Sequence, residues 1–204
     1  MPSVVDAAMR SYYERRASEY DDWWLGTGLF AQRDRPGWPA EVAELTALLE
    51  GLAPAATLDV ACGTSFLTAH LPGDVVALDQ SPAMVEVASA RLPRVRVVRG
   101  EAVPLPFADG AFERIFTAHF YGHLLSTERT AFLAEAARVA TELVVVDSAA
   151  QAGAPAEEWQ ERVLGDGSRH RVYKRYFRAA ELAAELGAGV RVLHDGAWFV
   201  AVAR

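Results

Sequence analysis

The chain has 204 residues, of which 51% are hydrophobic, and it carries a formal net charge of −7. This is the composition of a globular protein that is long enough to bury its own core. An acidic chain is a poor candidate for nucleic-acid binding, because phosphate groups are held by clustered Lys and Arg side chains. We therefore expect no nucleic-acid partner.

The cysteine content and the length of the apolar runs exclude further classes. Cys62 is the only cysteine, which excludes a disulfide framework and a cysteine zinc cluster, and no other metal-ligand spacing stands out, so no metal site is predicted. Residues 1–10 lack the apolar run of a secretory signal, and the run at 143–146 is much shorter than a membrane span. The rich use of alanine and arginine indicates a GC-rich genome. We expect a cytoplasmic, bacterial protein without a membrane partner, as a monomer or a homodimer.

The N-terminal part of the sequence predicts two helices. Residues at helical spacing favour a helix over 11–24; they are Tyr13, Ala17, Tyr20 and Trp24. Glycine and proline then mark a loop up to residue 39, and a second amphipathic helix is predicted at 41–51.

From residue 57 the chain alternates between short apolar strands and helices. The strands are predicted at 57–61, 75–78, 95–98, 112–117 and 143–147. The helices are predicted at 65–71, 82–92 and 127–140, with Ser81 as the N-cap of the second. Such alternation is typical of βαβ units, which form a parallel sheet that binds ligands at the carboxyl ends of its strands.

The last third of the sequence departs from this alternation. Its predicted elements are an extended segment, a helix and two strands, at 169–177, 179–186, 190–193 and 198–202. Asp195-Gly196 between the two strands is a hairpin signal. The predicted fold class is therefore α/β, with a Rossmann-like, mostly parallel seven-stranded sheet and a C-terminal antiparallel hairpin, in a single domain over 1–204.

The loop after the first predicted strand has the composition of a ligand-binding turn. Small residues at this point let a ligand approach the backbone, and the sequence reads Asp59-Val60-Ala61-Cys62-Gly63-Thr64-Ser65. A P-loop is excluded because no Gly-Lys-Ser/Thr follows, and a dinucleotide loop needs further glycines. Asp59 would repel a pyrophosphate, but it suits a ligand that carries an ammonium and a sulfonium group.

An acidic residue follows each of three successive predicted strands. These residues are Asp59, Asp79 and Glu101. A carboxylate after the second strand can accept both hydroxyls of a ribose, and a side chain after the third strand can reach an adenine. Three acids in register therefore predict a nucleoside site at one edge of the sheet.

Residues 57–143 resemble the class I methyltransferases that use S-adenosylmethionine (SAM) and act on small molecules. The matching stretches are Leu58-Asp59-Val60-Ala61-Cys62-Gly63-Thr64, Leu78-Asp79-Gln80-Ser81-Pro82-Ala83-Met84, and Gly100-Glu101-Ala102 with Leu105-Pro106-Phe107. The resemblance implies transfer of a methyl group from SAM to an oxygen, nitrogen or carbon of a small metabolite, with S-adenosylhomocysteine (SAH) as the second product.

The resemblance also implies which residues contact the cofactor. Asp79 would bind the ribose, and Gly63 would contact the methionine part. Glu101, Ala102 and Met84 would surround the adenine. The full set implied in this way is Asp59, Ala61, Gly63, Thr64, Asp79, Gln80, Met84, Glu101, Ala102 and Thr117.

Ser65 departs from the family, which usually has glycine there and often at position 61 as well. Ser65 is compatible with binding if its backbone angles are ordinary, and otherwise it crowds the methionine tail. Two alternatives stay open. One is a SAM-binding protein with a regulatory or non-methyl-transfer role, which Ser65 favours slightly. The other is a nucleotide- or NAD-dependent Rossmann enzyme, which the missing glycines disfavour.

Two histidines follow the fourth strand, where the family presents the methyl group. A histidine with an unperturbed pKa accepts a proton near neutrality, so His119 and His123 are the candidate catalytic residues. Packing or capping is the alternative role for each. His119 is the better candidate base, because His123 occupies a position where the family often has histidine.

Two segments are candidates for acceptor binding. Residues 1–40 predict an aromatic lid over cofactor and acceptor, and residues 151–178 predict an insertion near the acceptor site. The basic part of that insertion, at 169–176, is either a site for an acceptor carboxylate or phosphate or a solvated edge strand. The acceptor residues predicted are Tyr13, Tyr20, Trp24, Tyr121, Arg169 and Lys174.

Overall fold

A computed structural model describes residues 7–204, with side chains from residue 9 onward. Residues 1–6, which belong to the predicted segment 1–40 and to the stretch considered for a secretory signal, lie outside the described residues. The α-helices are α1 Ala7–Arg16, α2 Asp22–Leu25, α3 Trp38–Glu50, α4 Pro82–Arg91, α5 Ser126–Val139 and α6 Ala179–Leu186. The strands are β1 Thr57–Val60, β2 Val75–Asp79, β3 Arg96–Arg99, β4 Arg114–Ala118, β5 Glu142–Ser148, β6 Glu157–Val163, β7 Arg169–Arg175, β8 Arg191–Asp195 and β9 Phe199–Ala203.

Seven of these strands form the central sheet, in the order β3-β2-β1-β4-β5-β9-β8. The pairs among β1 to β5 are parallel, whereas β9 runs antiparallel to both β5 and β8. The predicted fold class, a mostly parallel seven-stranded sheet with a C-terminal antiparallel hairpin, is therefore confirmed. β6 and β7 form a separate two-stranded antiparallel sheet.

Alternating side chains of the central strands supply two apolar cores, one on each face of the sheet. In β5, Leu143 and Val145 join one core, and Val144 and Val146 join the other. The first core is covered mainly by α5 and α6, and the second by α2 and α3. Burial on both faces explains why these strands read as continuous apolar runs in the sequence.

The strand order reverses between β1 and β4, since the chain moves to β2 and β3 on one side and to β4 on the other. Open α/β sheets bind their ligands at such a switch point, outside the carboxyl ends of the strands. Ser81 begins α4 as predicted, because its hydroxyl accepts a hydrogen bond from the Met84 amide at 3.1 Å.

Two predicted helices are wrong in extent. The helix predicted over 11–24 ends at Arg16 and continues as a short 3₁₀ turn and then as α2. The helix predicted over 65–71 is reduced to the single 3₁₀ turn Thr68–His70. Ser65 has a left-handed φ of 60° and therefore cannot lie within a helix, and Pro72 leaves too few residues for a regular one.

β6 is absent from the sequence prediction. Its residues Glu157–Val163 are mostly charged or polar, and they pair with β7 so that Arg162 lies opposite His170 and Gln160 opposite Val172. The predicted extended segment at 169–177 corresponds to β7. Across residues 7–204, no helix is both long and apolar enough to traverse a bilayer.

Candidate cofactor and acceptor site

A cleft lies at the carboxyl ends of β1 to β4, beside the switch point. Its empty space, counted together with its open mouth, is about 690 Å³. Seven of the ten predicted cofactor residues line this cofactor cleft, namely Ala61, Gly63, Asp79, Gln80, Met84, Glu101 and Ala102.

Asp79 anchors the cofactor loop from the end of β2. Its two carboxylate oxygens accept hydrogen bonds from the amides of Gly63 and Ser81, each at 2.9 Å. Burial raises the pKa of Asp79, while these amides act in the opposite direction. Each oxygen has a further lone pair, so the carboxylate can still accept the two hydroxyls of a ribose.

Asp59 lies behind the cofactor loop and does not line the cleft. Its Oδ2 accepts a hydrogen bond from Thr68 Oγ1 at 2.5 Å, whereas its buried Oδ1 has no partner among the described residues. Burial raises the pKa of Asp59 to about 7; the Thr68 hydrogen bond lowers it, and the charge of Asp79 raises it further. The carboxyl therefore contributes negative potential beneath the loop at neutral pH and above.

Thr64 and Thr117 also lie outside the cleft lining. Thr64 Oγ1 donates to Asp21 Oδ1 at 2.5 Å, and Thr117 Oγ1 donates to the Val60 carbonyl at 2.8 Å. Both hydroxyls are therefore engaged within the protein.

The cofactor loop has a left-handed backbone at every second residue. The φ angle is 59° at Ala61, 56° at Gly63 and 60° at Ser65. Ser65 therefore does not have the ordinary backbone angles that its tolerance in this loop requires. Its buried hydroxyl has no hydrogen-bond partner in the part of the chain that the structure describes, so it does not cap a helix either.

The residues of the cleft fit SAM. Asp79 offers acceptor positions for a ribose diol, and the apolar side chains of Leu78, Met84 and Val103 line the same cleft and suit an adenine. Gly63 packs on Tyr20, because a Cβ there would lie 3.4 Å from the ring. The absence of a side chain at Gly63 thus allows the Tyr20 ring to lie against the loop backbone, and both residues line the cleft.

A second, larger cavity adjoins the cofactor cleft. It holds about 2060 Å³ of empty space including its mouth, and its cavity volume is about 820 Å³; we call it the acceptor cavity. The two spaces meet at Tyr13, Tyr20, His119 and His123, which line both. A molecule in the acceptor cavity can therefore reach one in the cleft at this junction.

Three of the six predicted acceptor residues line the acceptor cavity, namely Tyr13, Tyr20 and Lys174. Lys174 is buried and forms an ion pair with the buried Asp147. Burial lowers the pKa of Lys174, and the charge of Asp147 opposes this shift.

The structure does not bring Trp24, Tyr121 and Arg169 to this cavity. Trp24 is buried in the core, where its ring stacks on Phe66. Tyr121 is fully buried, and its hydroxyl donates to Glu185. Arg169 is exposed and forms an ion pair with Glu161 of β6. It does not reach the cavity because the odd-numbered side chains of β7 face away from it.

His123 has a defined hydrogen-bond direction. Its Nδ1 lies 2.6 Å from the Tyr173 carbonyl oxygen, which can only accept, so Nδ1 carries the proton. Its Nε2 accepts from the Tyr13 hydroxyl at 2.7 Å. Burial, together with the positive charges of Lys174 and Arg162, lowers the pKa of His123 well below its usual value.

His119 lies at the junction with a strained backbone, at a φ of 55°. Its Nδ1 is 3.2 Å from Ser148 Oγ, and its buried Nε2 has no partner among the residues described. Burial lowers the pKa of His119 to about 3, against the opposing charge of Asp147. The unperturbed pKa assumed from the sequence therefore does not hold for either histidine, and both are neutral at physiological pH.

Polar contacts fasten the N-terminal segment across the cofactor cleft. Both guanidinium nitrogens Nη1 and Nη2 of Arg10 bind the Glu101 carboxylate at 2.9 Å. The Glu14 carboxylate accepts from the Ser81 hydroxyl, and farther along, Asp21 pairs with Arg91. Glu101, predicted at the adenine, thus also holds α1.

The arginines that line the acceptor cavity were not predicted from the sequence. They are Arg16, Arg33, Arg35 and Arg162. Glu158, Gln160 and Arg162 are polar residues at every second position. This spacing was the sequence signal that could have revealed β6 as a strand that lines the cavity. Within residues 9–204, no group of three or more His, Cys, Asp or Glu side chains is arranged to hold a metal ion.

Comparison with known proteins finds a methyltransferase domain in the central part of the chain. Residues 58–142 match the family described as "Methyltransferase domain". An uncharacterized methyltransferase of Mycobacterium tuberculosis is 33% identical over 114 residues, which cover 53% of this chain and 43% of the relative. A trans-aconitate 2-methyltransferase of Methylobacterium radiotolerans is 40% identical over 88 residues, which cover 40% of this chain and 32% of the relative. The chain thus spans less than half the length of these curated relatives.

Solved structures extend the similarity over nearly the whole chain. The DhpI–SAH complex is 27% identical with a TM-score of 0.72, covering 96% of this chain and 94% of DhpI. The DhpI–SAM–HEP complex is 26% identical with a TM-score of 0.71, covering 95% and 94%. Together with the cleft at the switch point, these similarities confirm the family and the cofactor that the sequence predicted. Residues 58–142 thus match a methyltransferase domain, and nearly the whole chain resembles a solved SAM-dependent methyltransferase in fold.

Proposed function

We propose that this chain transfers the methyl group of SAM to a small-molecule acceptor bound in the acceptor cavity. One observation carries the proposal: the cofactor cleft and the acceptor cavity meet at four shared residues, and the cavity has the scale of a small-molecule site. In this proposal, residues 1–40 form the lid and residues 151–178 supply one wall of the acceptor cavity, within a single domain.

The roles proposed for the cofactor residues follow from the cleft. Asp79 binds the ribose diol, and Glu101, Ala102 and Met84 border the adenine. Gly63 leaves the loop backbone free to approach the methionine part. Bound SAM supplies an electrophilic methyl group, and in-line displacement depends mainly on positioning and on exclusion of water.

We assign positioning roles to the residues at the junction. A base is effective only when its pKa lies near the working pH, and the lowered pKa of His119 makes this residue a poor proton acceptor. Its unpartnered Nε2 is instead available for a hydrogen bond to the acceptor. Tyr13, held by His123, and Tyr20 close the junction against water.

Calorimetric titration with SAM and with NAD tests the cofactor assignment, and Asp79→Asn tests the ribose contact. We expect SAM to bind the wild type and NAD not to bind. Asp79→Asn should weaken SAM binding by about tenfold or more, because a charge-assisted hydrogen bond contributes about 1.5–3 kcal/mol. The exposed Asp109→Asn, on the loop before β4, is the matched control and should leave the affinity unchanged.

A second assay tests the transfer itself. Methyl-labelled SAM is incubated with the protein and a metabolite extract, and label is expected in the low-molecular-mass fraction. NAD binding without SAM binding would overturn the proposal in favour of a dinucleotide enzyme. SAM binding with no transferred label would favour the regulatory alternative.

A further inference from the structure

The acceptor cavity carries an excess of positive charge. Five of its lining side chains are cationic and two are acidic, namely Arg16, Arg33, Arg35, Arg162 and Lys174 against Glu158 and Glu161. Lys174 is neutralised by Asp147. The four arginines have no ion pair with an acid among the described residues. Their positive charge is therefore available to an anionic ligand in the cavity.

Both acidic side chains are engaged by groups other than these arginines. Glu158 accepts from Gln160 Nε2 at 2.8 Å, and Glu161 is paired with the exposed Arg169. Arg162 is instead held by Gln160, whose Oε1 accepts from its Nε and Nη2 at 3.1 and 2.8 Å. The amide therefore orients the guanidinium without neutralising it.

Three of the arginines converge on shared aromatic rings. The guanidinium carbons of Arg16 and Arg162 lie 5.5 and 5.6 Å from the centre of the Tyr12 ring. Arg16 and Arg33 lie 5.4 and 4.6 Å from the centre of the Phe30 ring. Like charges gathered on a partly desolvated wall are unfavourable unless an anion joins them.

The positive charges of the neighbouring arginines affect the pKa of Arg33. Burial lowers the pKa of Arg33, and the positive charges of Arg162 and Arg16 lower it further. Arg16 itself is only 7% exposed, and it donates to the Tyr12 hydroxyl at 2.7 Å. A buried guanidinium whose protein partner is a neutral phenol keeps most of its donors available for a ligand.

His119 provides an independent sign of a ligand next to this wall. Its side chain is 8% exposed, it lines both the cleft and the cavity, and its Nε2 has no partner within residues 9–204. A buried polar atom without a partner is costly in a protein. A polar acceptor molecule that extends from Arg16, Arg33 and Arg162 to the junction would supply a hydrogen-bond partner for this Nε2 atom.

We propose that the acceptor is a small organic oxyanion, a carboxylate or a phosphonate or phosphate, held by the guanidinium groups of Arg16, Arg33 and Arg162. Planar guanidinium groups match the oxygens of these anions in pairs. The inference rests on the proposed function for naming the bound molecule as the methyl acceptor, whereas the anion site itself can be measured separately.

Calorimetry with benzoate, phenylphosphonate and benzamide tests the oxyanion site. Benzamide has the shape of benzoate without its charge, and the aromatic walls of the cavity suit all three probes. The titrations are made with and without saturating SAH, in a buffer free of other oxyanions. We expect at least one of the two anions to bind tenfold or more tightly than benzamide, and the stronger anion identifies carboxylate or phosphonate chemistry.

Substitutions of Arg162 locate the site. Arg162→Gln should lose about tenfold or more in anion affinity, and Arg162→Lys should retain part of it. Arg171→Gln is the matched control, because Arg171 lies on the opposite face of the same two-stranded sheet, and its anion affinity should be unchanged. SAH affinity should be unchanged in all three variants, which also verifies that they fold.

The possible outcomes separate this inference from the proposed function. Anions that bind no more tightly than benzamide, or an Arg162→Gln variant with wild-type anion affinity, would overturn the inference. If SAH binds normally in that case, the cofactor part of the proposed function stands. If the anions bind as expected but neither SAH nor SAM binds, the oxyanion site stands and the proposed function fails.

Discussion

The Tyr13 hydroxyl donates a hydrogen bond to His123 Nε2 at 2.7 Å, and this bond joins α1 to the loop after β4 where the two cavities meet. His123 in turn donates from Nδ1 to the Tyr173 carbonyl on β7. Three segments that are far apart in the chain therefore depend on one neutral imidazole. The orientations of α1, of the loop after β4 and of β7 are coupled through it.

Tyr13→Phe should destabilise the protein by leaving His123 Nε2 without a donor. A buried, unsatisfied acceptor costs about 1–3 kcal/mol, so we expect the free energy of unfolding in urea to fall by about 1–2 kcal/mol. Tyr173→Phe is the control, because its hydroxyl donates to the exposed Glu157, and it should cost about 0.5 kcal/mol. Equal losses for the two variants would contradict the role given to the Tyr13–His123 bond.

Ser65→Gly should stabilise the protein. A left-handed backbone costs a non-glycine residue about 1–2 kcal/mol, and the substitution also removes a buried hydroxyl without a partner. Glycine loses about 0.5–1 kcal/mol in chain entropy, so we expect a net gain of about 1 kcal/mol and a higher melting temperature by calorimetry.

Ser18→Gly is the matched control for that substitution. Ser18 is exposed in the 3₁₀ turn Ala17–Glu19 and does not have a positive φ. The same change there should lower the melting temperature, because only the entropy cost remains. A loss of stability in both variants would show that residue 65 is not strained.

Asp59→Asn should stabilise the protein at pH 8 and much less at pH 5. The pKa of Asp59 is raised to about 7 in the folded protein by burial, compared with about 3.9 in the unfolded chain. Between these values the folded state binds more protons, so this group makes stability fall as pH rises towards 7 and leaves it constant above. We expect a gain of about 4 kcal/mol at pH 8, because the two pKa values differ by about three units.

Urea unfolding of both proteins at the two pH values measures this difference. Asp74→Asn, at an exposed position before β2, serves as the control and should change little, by about 0.5 kcal/mol or less, at either pH. A gain for Asp59→Asn that is as large at pH 5 as at pH 8 would contradict the raised pKa.

Lys174→Met should destabilise the protein strongly. It removes the cation that neutralises Asp147, which is fully buried and accepts from the Gly122 and Ser148 amides at 2.7 Å. Breaking one side of a buried ion pair costs about 3–5 kcal/mol, and denaturant unfolding should show a loss of this order.

Two further variants test the cause of that loss. Arg171→Met makes a similar change at an exposed position of the same strand and should cost about 0.5 kcal/mol or less. Asp147→Asn combined with Lys174→Met should recover part of the stability, because no unpaired charge stays buried. A double variant as unstable as Lys174→Met alone would contradict the charge argument.

The elements that were predicted well have a local cause. α6 was predicted with its observed bounds, Ala179–Leu186, and α4 begins at its own Ser81 cap. The Asp195-Gly196 turn and the apolar runs of β5 and β9 needed only neighbouring residues to be recognised. The helix over 65–71 failed for the opposite reason, because the backbone of Ser65 is set by the tight cofactor loop rather than by local preference.

The residues of the site also divide into those that the sequence could predict and those that it could not. Asp79, Gly63 and Glu101 could be predicted to lie together because each follows a strand and the carboxyl ends of parallel strands meet at one edge, and all three line the cleft. The arginines of the acceptor cavity were not predicted, because Arg16 and Arg162 are brought together from distant elements and β6 has no apolar alternation to reveal it.

The sequence by itself determined the α/β fold, the SAM family and the acids around the cofactor cleft, because each depends on the order of residues along single strands and loops. Only the tertiary structure decided that the two histidines are neutral, that Lys174 is paired and that four arginines line one cavity. Burial and through-space charge set those properties, and both arise only when segments distant in the chain pack against each other.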